Sequence, residues 1–276
     1  MKAALALLCL LAPAARCAEP LRYAWDDRPR FRGWEYALTG TALAGAAANF
    51  YLVPPPKTAV WKGQILFDRR TRNALLLPAD AREPVQAAVD LLTAPLMAYA
   101  MFDGPVTALY AGGNRDTALQ LALINAETLA VVEVLNLTVS NVLPRARPSG
   151  AVCDPTTKYD PHCVKSFWSG HAANVFAAAS LVCAEHRAMD LYGGGKADTA
   201  ACAAGFAAAA VVGASRIATN NHHASDVVIG AAVGAAVGYL MPNYLHFKFK
   251  KAGPRLGYLI PNVGPGGGGL TYVKTW

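Results

Sequence analysis

Apolar residues in this chain come in long blocks separated by short polar stretches, and the block lengths predict helices rather than strands. Residues 36–53 form an uncharged run ended by Pro54-Pro55-Pro56, residues 199–215 a second and residues 227–245 a third. The last run carries Gly230, Gly234 and Gly238 at four-residue spacing, which lets helices approach closely in lipid or in an alanine-rich core. Three further blocks are less membrane-like. Asp90 interrupts 85–102, Glu127 and Glu133 interrupt 117–143, and 172–184 stops at Glu185-His186-Arg187. Spanning takes about 20 apolar residues, so these three cross a bilayer only if their charges face the interior of a bundle. The pattern predicts an all-α bundle of about six helices, associated with a membrane. Beyond Lys251 it changes to Leu256–Val263, Gly264-Pro265 with four glycines, and Leu270–Trp276, which predicts a β-hairpin or extended tail.

Composition sharpens the class. Hydrophobic residues make up 54% of the 276 and charged residues 16%, and the mean hydropathy is +0.26, a balance that leans toward a membrane protein or a heavily buried helical one. The net charge of +7 fits an anionic substrate or an anionic membrane surface. No basic patch interleaved with aromatics is present, so no nucleic-acid role is assigned. Residues 1–18, with Lys2 ahead of a short apolar core and then small residues to Ala18, read as a secretory signal peptide or, in the alternative, a short anchor. That divides the chain into 1–18, a helical domain over 19–251 and a Gly-rich tail over 252–276.

Cysteine placement points to export. Cys153 and Cys163 flank one short loop, and a bridge there would stabilise it by about 2–3 kcal/mol. Cys183 and Cys202 fall at matching height if the 172–184 and 199–215 helices are antiparallel neighbours, so they make a second candidate disulfide. The alternative for all four is a reduced, buried thiol.

Candidate chemistry lies in three clusters: Arg145-Ala146-Arg147-Pro148, then Phe167-Trp168-Ser169-Gly170-His171, then Ser215-Arg216-x5-His222-x3-Asp226. Arg offers a planar fork matched to phosphate oxygens, and an Asp near a His can fix its tautomer. In order and spacing the clusters resemble the three motifs of the type 2 phosphatidic acid phosphatase superfamily, which includes bacterial acid phosphatases and vanadium haloperoxidases. Its pattern is Lys-x6-Arg-Pro, Pro-Ser-Gly-His and Ser-Arg-x5-His-x3-Asp. The third motif is complete here, the second has Trp168 in place of Pro, and the first has Ser140 in place of Lys. The resemblance covers about residues 117–245.

The resemblance implies a phosphatase acting on a phosphomonoester or diphosphate, lipid-linked or otherwise exported, through a phosphohistidine. His222 would be the nucleophile, Asp226 the group orienting its ring, and His171 the general acid. Arg147, Arg216, the Ser169 hydroxyl and the Gly170 N–H would hold the phosphoryl oxygens. No metal and no cofactor are implied. Lys158 or Lys165 would stand in for the missing motif lysine. Trp168 is expected as a pocket wall, Arg145 as a contact to phosphate, to lipid or to solvent, and His223 as a bystander. His162, His186 and His246 lack partners at metal-ligand spacing and are expected to be surface or structural. A vanadate-dependent haloperoxidase and a catalytically weak membrane bundle are the alternative functions. The expected location is the bacterial envelope, inner membrane or periplasm, with the site facing the periplasm and a phosphorylated lipid or other phosphoester as partner.

Overall fold

The computed structural model describes residues 23–25, 28–149, 163–247, 258–264 and 267–273. The signal-peptide reading of 1–18, together with Cys153, Lys158 and His162, falls outside them. Within them the fold is a helical bundle: α1 (Gly33–Tyr51), α2 (Asp68–Leu75), α3 (Ala79–Tyr110), α4 (Arg115–Val142), α5 (Gly170–Met189), α6 (Lys196–Ala218) and α7 (Ala224–Pro242), continued by a π-helical turn Asn243–Phe247. The tail forms the expected hairpin, β1 (Tyr258–Gly264) antiparallel to β2 (Gly267–Val273), with Tyr258 opposite Val273 and Gly264 opposite Gly267.

Six of the seven helices answer to the six apolar blocks. The addition is α2, eight residues inside what the sequence shows only as a basic, Pro-containing connection. α3 runs 32 residues through Pro84, Pro95 and Pro105, well past the expected 85–102. Prolines are tolerated in bundle helices whose neighbours re-satisfy the freed carbonyls, and Asn125 Nδ2 donates to the Met101 carbonyl at 3.3 Å, four residues before Pro105.

α5 lies at the centre, packed against α3, α4, α6 and α7, while α1 lies along α4. The α5–α7 contact depends on the glycine series. A Cβ at Gly234 would sit 2.0 Å from the Ala173 carbonyl oxygen, and one at Gly238 2.3 Å from that of Ala177. The backbones therefore touch along two turns, and any larger residue would force the helices apart. Around this seam Leu121, Ile124, Val132, Ala173, Ala177 and Leu181 form the main core.

Among the described residues four helices are long and apolar enough to cross a membrane: α3, α4, α6, and α7 with its π turn. α1, which contains most of the uncharged 36–53 run, is not among them, whereas α3 and α4 are despite their charges. The two glutamates turn inward, whereas Asp90 stays partly exposed while meeting other helices. Glu127 is buried, Glu133 accepts from Asn174 of α5, and Asp90 meets residues of α5 and α6. Outward faces carry exposed Leu91, Phe102, Val211 and Val228, as lipid-facing surfaces do.

Cys183 of α5 and Cys202 of α6 form the expected disulfide, with Cα atoms 4.7 Å apart. Cys163 is also disulfide-bonded. His186 and His246 are structural and fully buried, and His246 has partners that sequence spacing hides: its Nε2 lies 3.0 Å from Glu35 Oε1, with Glu127 beside them.

Candidate active site

One end of the bundle gathers the C-termini of α1, α4 and α6 with the N-termini of α5 and α7. Between them lies a cavity of about 440 Å3 lined by His171, His222, Arg147, Lys165, Gly170, Ser140, Asn136, Asn49 and Trp168, with Phe50, Val53, Pro55 and Leu137 forming an apolar side. Residues from all three sequence clusters thus meet on one wall, and Trp168 is a wall residue as expected.

Local structure explains each placement. Ser169 caps α5, its Oγ accepting from Ala172 N at 3.4 Å, which puts His171 in the first turn facing out of the helix end. Gly170 follows because α4 comes close: a Cβ there would be 2.4 Å from Asn136 Nδ2. Ser169 is fully buried and does not line the cavity; the cap, rather than an open anion site, uses its hydroxyl. Arg147 is carried by a small parallel ladder in which Trp61, Arg145 and Lys165 are bridged side by side, so Arg147 and Lys165 reach the same cavity. Arg147 Nη1 donates to Asn221 Oδ1 at 3.2 Å.

His222 sits in the turn between α6 and α7. Its Nδ1 is 2.7 Å from the Ser166 carbonyl, which can only accept, so Nδ1 carries the proton and Nε2 holds the lone pair. Burial, and then the Arg147 guanidinium, push its pKa well below the ordinary histidine value. The ring is neutral at pH 7, the state a nitrogen nucleophile needs.

Asp226 does not orient that ring directly, contrary to expectation. It occupies the first turn of α7, where its Oδ2 accepts from His223 N at 3.0 Å, and its other oxygen is drawn to Arg145 Nη1. Ser166 links the two: its Oγ donates to Asp226 Oδ2 at 2.6 Å while its carbonyl holds His222. Asp226 therefore acts on His222 through one intervening residue.

Arg145 resolves as none of the three expected contacts. It is fully buried over the Trp61 ring, 4.0 Å from the centroid, and ties Asp226, Ser225, the Gly63 carbonyl and Asp68 together. Asp68 also accepts from Ser225 N at 2.7 Å, so α2 is pinned to the start of α7. His223 is the N-cap residue of α7 and gives its Nε2 proton to the Ala146 carbonyl at 3.1 Å.

The remaining expected residues, His171 and Arg216, share a partner. Asp90 Oδ1 is 3.1 Å from His171 Nε2 and also bonds Arg216 Nη2. Arg216 is buried behind this carboxylate and does not line the cavity, unlike Arg147. Desolvation, followed by the Arg216 charge, pushes the His171 pKa down to about 4, with Asp90 and Arg147 pulling in opposite directions. Lysine 165 is likewise shifted down by burial.

A stretch of 96 residues, 35% of this chain and 17% of that protein, is 41% identical to a lipid A 1-phosphatase of Porphyromonas gingivalis. The match thus spans about a sixth of that relative. Among solved structures, the fold is similar to a transmembrane PAP2 type phosphatidylglycerolphosphate phosphatase from Bacillus subtilis, with a TM-score of 0.48 and 18% identity, covering 79% of this chain and 98% of that one. Residues 117–250, just under half of the chain and the segment that holds all three clusters, match the PAP2 superfamily.

Proposed function

We propose that the chain is a membrane-embedded phosphatase that releases inorganic phosphate from a lipid-linked phosphoester through a phosphohistidine. The observation that carries this reading is His222, neutral and tautomer-fixed, on the wall of a cavity that also holds Arg147, Lys165 and His171. In the first step His222 Nε2 bonds to phosphorus as the ester P–O bond breaks, and the leaving oxygen takes a proton from the His171 imidazolium. In the second, His171 takes a proton from water, the hydroxide oxygen bonds to phosphorus, and the N–P bond breaks to free His222 and phosphate. Arg147, Lys165 and the Gly170 N–H stabilise charge on the phosphoryl oxygens, and Lys165 supplies the cation that Ser140 does not.

The apolar wall of Phe50, Val53, Leu137 and Trp168 and the four candidate spans support a lipid substrate. So does the likeness to a lipid A 1-phosphatase, which favours a phosphate on a lipid anchor. Among the described residues two candidate spans precede Arg147, so the site lies on the same side as the segment that joins α1 to α3, and we take that side to be the periplasm.

The test is phosphate release from a panel of lipid phosphates by the detergent-purified protein, with acid-quench trapping of labelled phosphoenzyme. His222→Ala should lose at least about 1,000-fold in turnover and all acid-labile label. Label persisting in that variant would move the nucleophile elsewhere, His223 first.

A further inference from the structure

Asp90 is the lone charge in the 85–102 stretch of α3, and an ionisable side chain in an apolar, membrane-length helix calls for a reason. Its carboxylate holds one side chain from each of two other helices, His171 of α5 and Arg216 of α6. One turn earlier on the same face, Gln86 Oε1 accepts from Asn221 Nδ2 at 2.8 Å, and Asn221 in turn accepts from Arg147. Through two residues four apart, α3 therefore touches the supports of the general acid and of both arginines. No part of α3 lies in the segment that matches the superfamily, 117–250.

The groups around His171 can be enumerated. Arg216 comes from α6, Arg147 and Lys165 from the bridged segments, His222 from the α6–α7 turn and Asp90 from α3. On α4 the cavity residues Asn136 and Ser140 are uncharged, and Glu133, also on α4, is bound to Asn174 of α5. Asp90 is thus the anion in contact with His171 amid several cations.

We propose that Asp90 is a positioning residue that sets the proton and the orientation of His171, holding the general acid ready for the leaving oxygen while keeping Arg216 aligned behind it. This rests on the phosphatase reading. Protonated His171 is needed for alkoxide departure and is disfavoured by burial and by the nearby cations; the Asp90 carboxylate opposes them in part. Removing that charge lowers the fraction of protonated His171 at neutral pH.

Asp90→Asn keeps shape and hydrogen bonding while removing the charge. With an alkyl lipid phosphate its turnover should fall about 10- to 100-fold and the basic limb of the kcat–pH profile should move to lower pH. With an aryl phosphate, whose leaving oxygen hardly needs a proton, the loss should stay below about threefold. Asp90→Glu should restore part of the alkyl-ester activity. Equal losses on both esters, or an unmoved basic limb, would overturn the proposal. A wild-type protein that releases no phosphate from either ester would sink the phosphatase reading itself. Carbethoxylation of His171 against pH, read by peptide mass spectrometry, needs no turnover: its midpoint should shift down in Asp90→Asn, and an unshifted midpoint would count against Asp90 independently.

Discussion

Helices α3, α5 and α6 each give one charged or titratable residue to each of two histidine–carboxylate clusters of opposite character. At the cavity end Asp90, His171 and Arg216 meet, with His171 and Asp90 about half exposed. At the far end His186 Nδ1 lies 2.6 Å from Asp198 and its Nε2 2.7 Å from Asp103. Carboxylates only accept, so both ring nitrogens of His186 donate and the ring is a buried imidazolium. Asp198 further accepts from Tyr192 N and Gly194 N, Asp103 accepts from the Tyr192 hydroxyl, and the Cys183–Cys202 bridge closes the same region. The residue types are nearly the same, yet the roles differ. At the far end every ring nitrogen is matched inside the protein, whereas at the near end His171, Arg147 and Lys165 line a cavity with room for an anion.

The largest effect should come from removing a buried cation at either end. Arg145→Met leaves Asp68 and Asp226 facing each other without their guanidinium, and His186→Gln leaves Asp103 and Asp198 likewise. Each should cost about 3–5 kcal/mol of stability, measured by thermal unfolding in detergent. Activity should separate them. At temperatures where both variants are folded, Arg145→Met should lose most of its turnover because the Asp226–Ser166–His222 chain is disturbed, while His186→Gln stays within about twofold of wild type. Equal losses would break the division between a working end and a structural end.

A smaller effect is expected for Lys165→Ala. Its ammonium lines the cavity instead of a closed ion network, so stability should hardly change while kcat/KM falls about 100-fold for phosphate esters. Full turnover in this variant, with the same result for Lys158→Ala, would remove lysine from the phosphate cage.

What was legible in the sequence follows the same division between local and long-range structure. Helices α1 and α4 to α7 lie close to the apolar blocks because periodicity and glycine spacing are local properties, and Gly234 against Ala173 is the outcome of such a spacing. The ends of α3 were hidden by prolines that usually terminate helices, and α2 by its polar composition. His171, His222 and Arg147 stood out because their spacing is fixed within short segments, and all three line the cavity. Asp68, Asp90 and Ser166 did not. Each acts on residues of another helix or of a distant turn, so no spacing along the chain marks it. The one available signal was Asp90 as a lone charge in an apolar block. The misassigned contact of Asp226 has the same origin: spacing places it near His222, but only the fold brings in Arg145 and Ser166 to take its oxygens.

The smallest predicted effect tests how the cavity end depends on pH. Burial pushes the Asp68 carboxyl up, but hydrogen bonds from Ile65 N, Ser225 N, Arg145 and Ser225 Oγ outweigh it and hold the group below the usual carboxylate range. A depressed folded-state pKa means that the contribution to stability is complete above the unfolded value of about 3.9 and is lost as pH falls through the folded value. Asp68→Asn should therefore be less stable than wild type at pH 7 by about 1–2 kcal/mol, since a neutral amide keeps part of the hydrogen bonding but weakens the pair with Arg145. As the pH drops below about 4, wild type should lose this advantage and the two unfolding midpoints should converge. A difference that stays constant from pH 7 to pH 3 would mean that folding does not lower the Asp68 pKa, and its ion pair with Arg145 would then add nothing to stability.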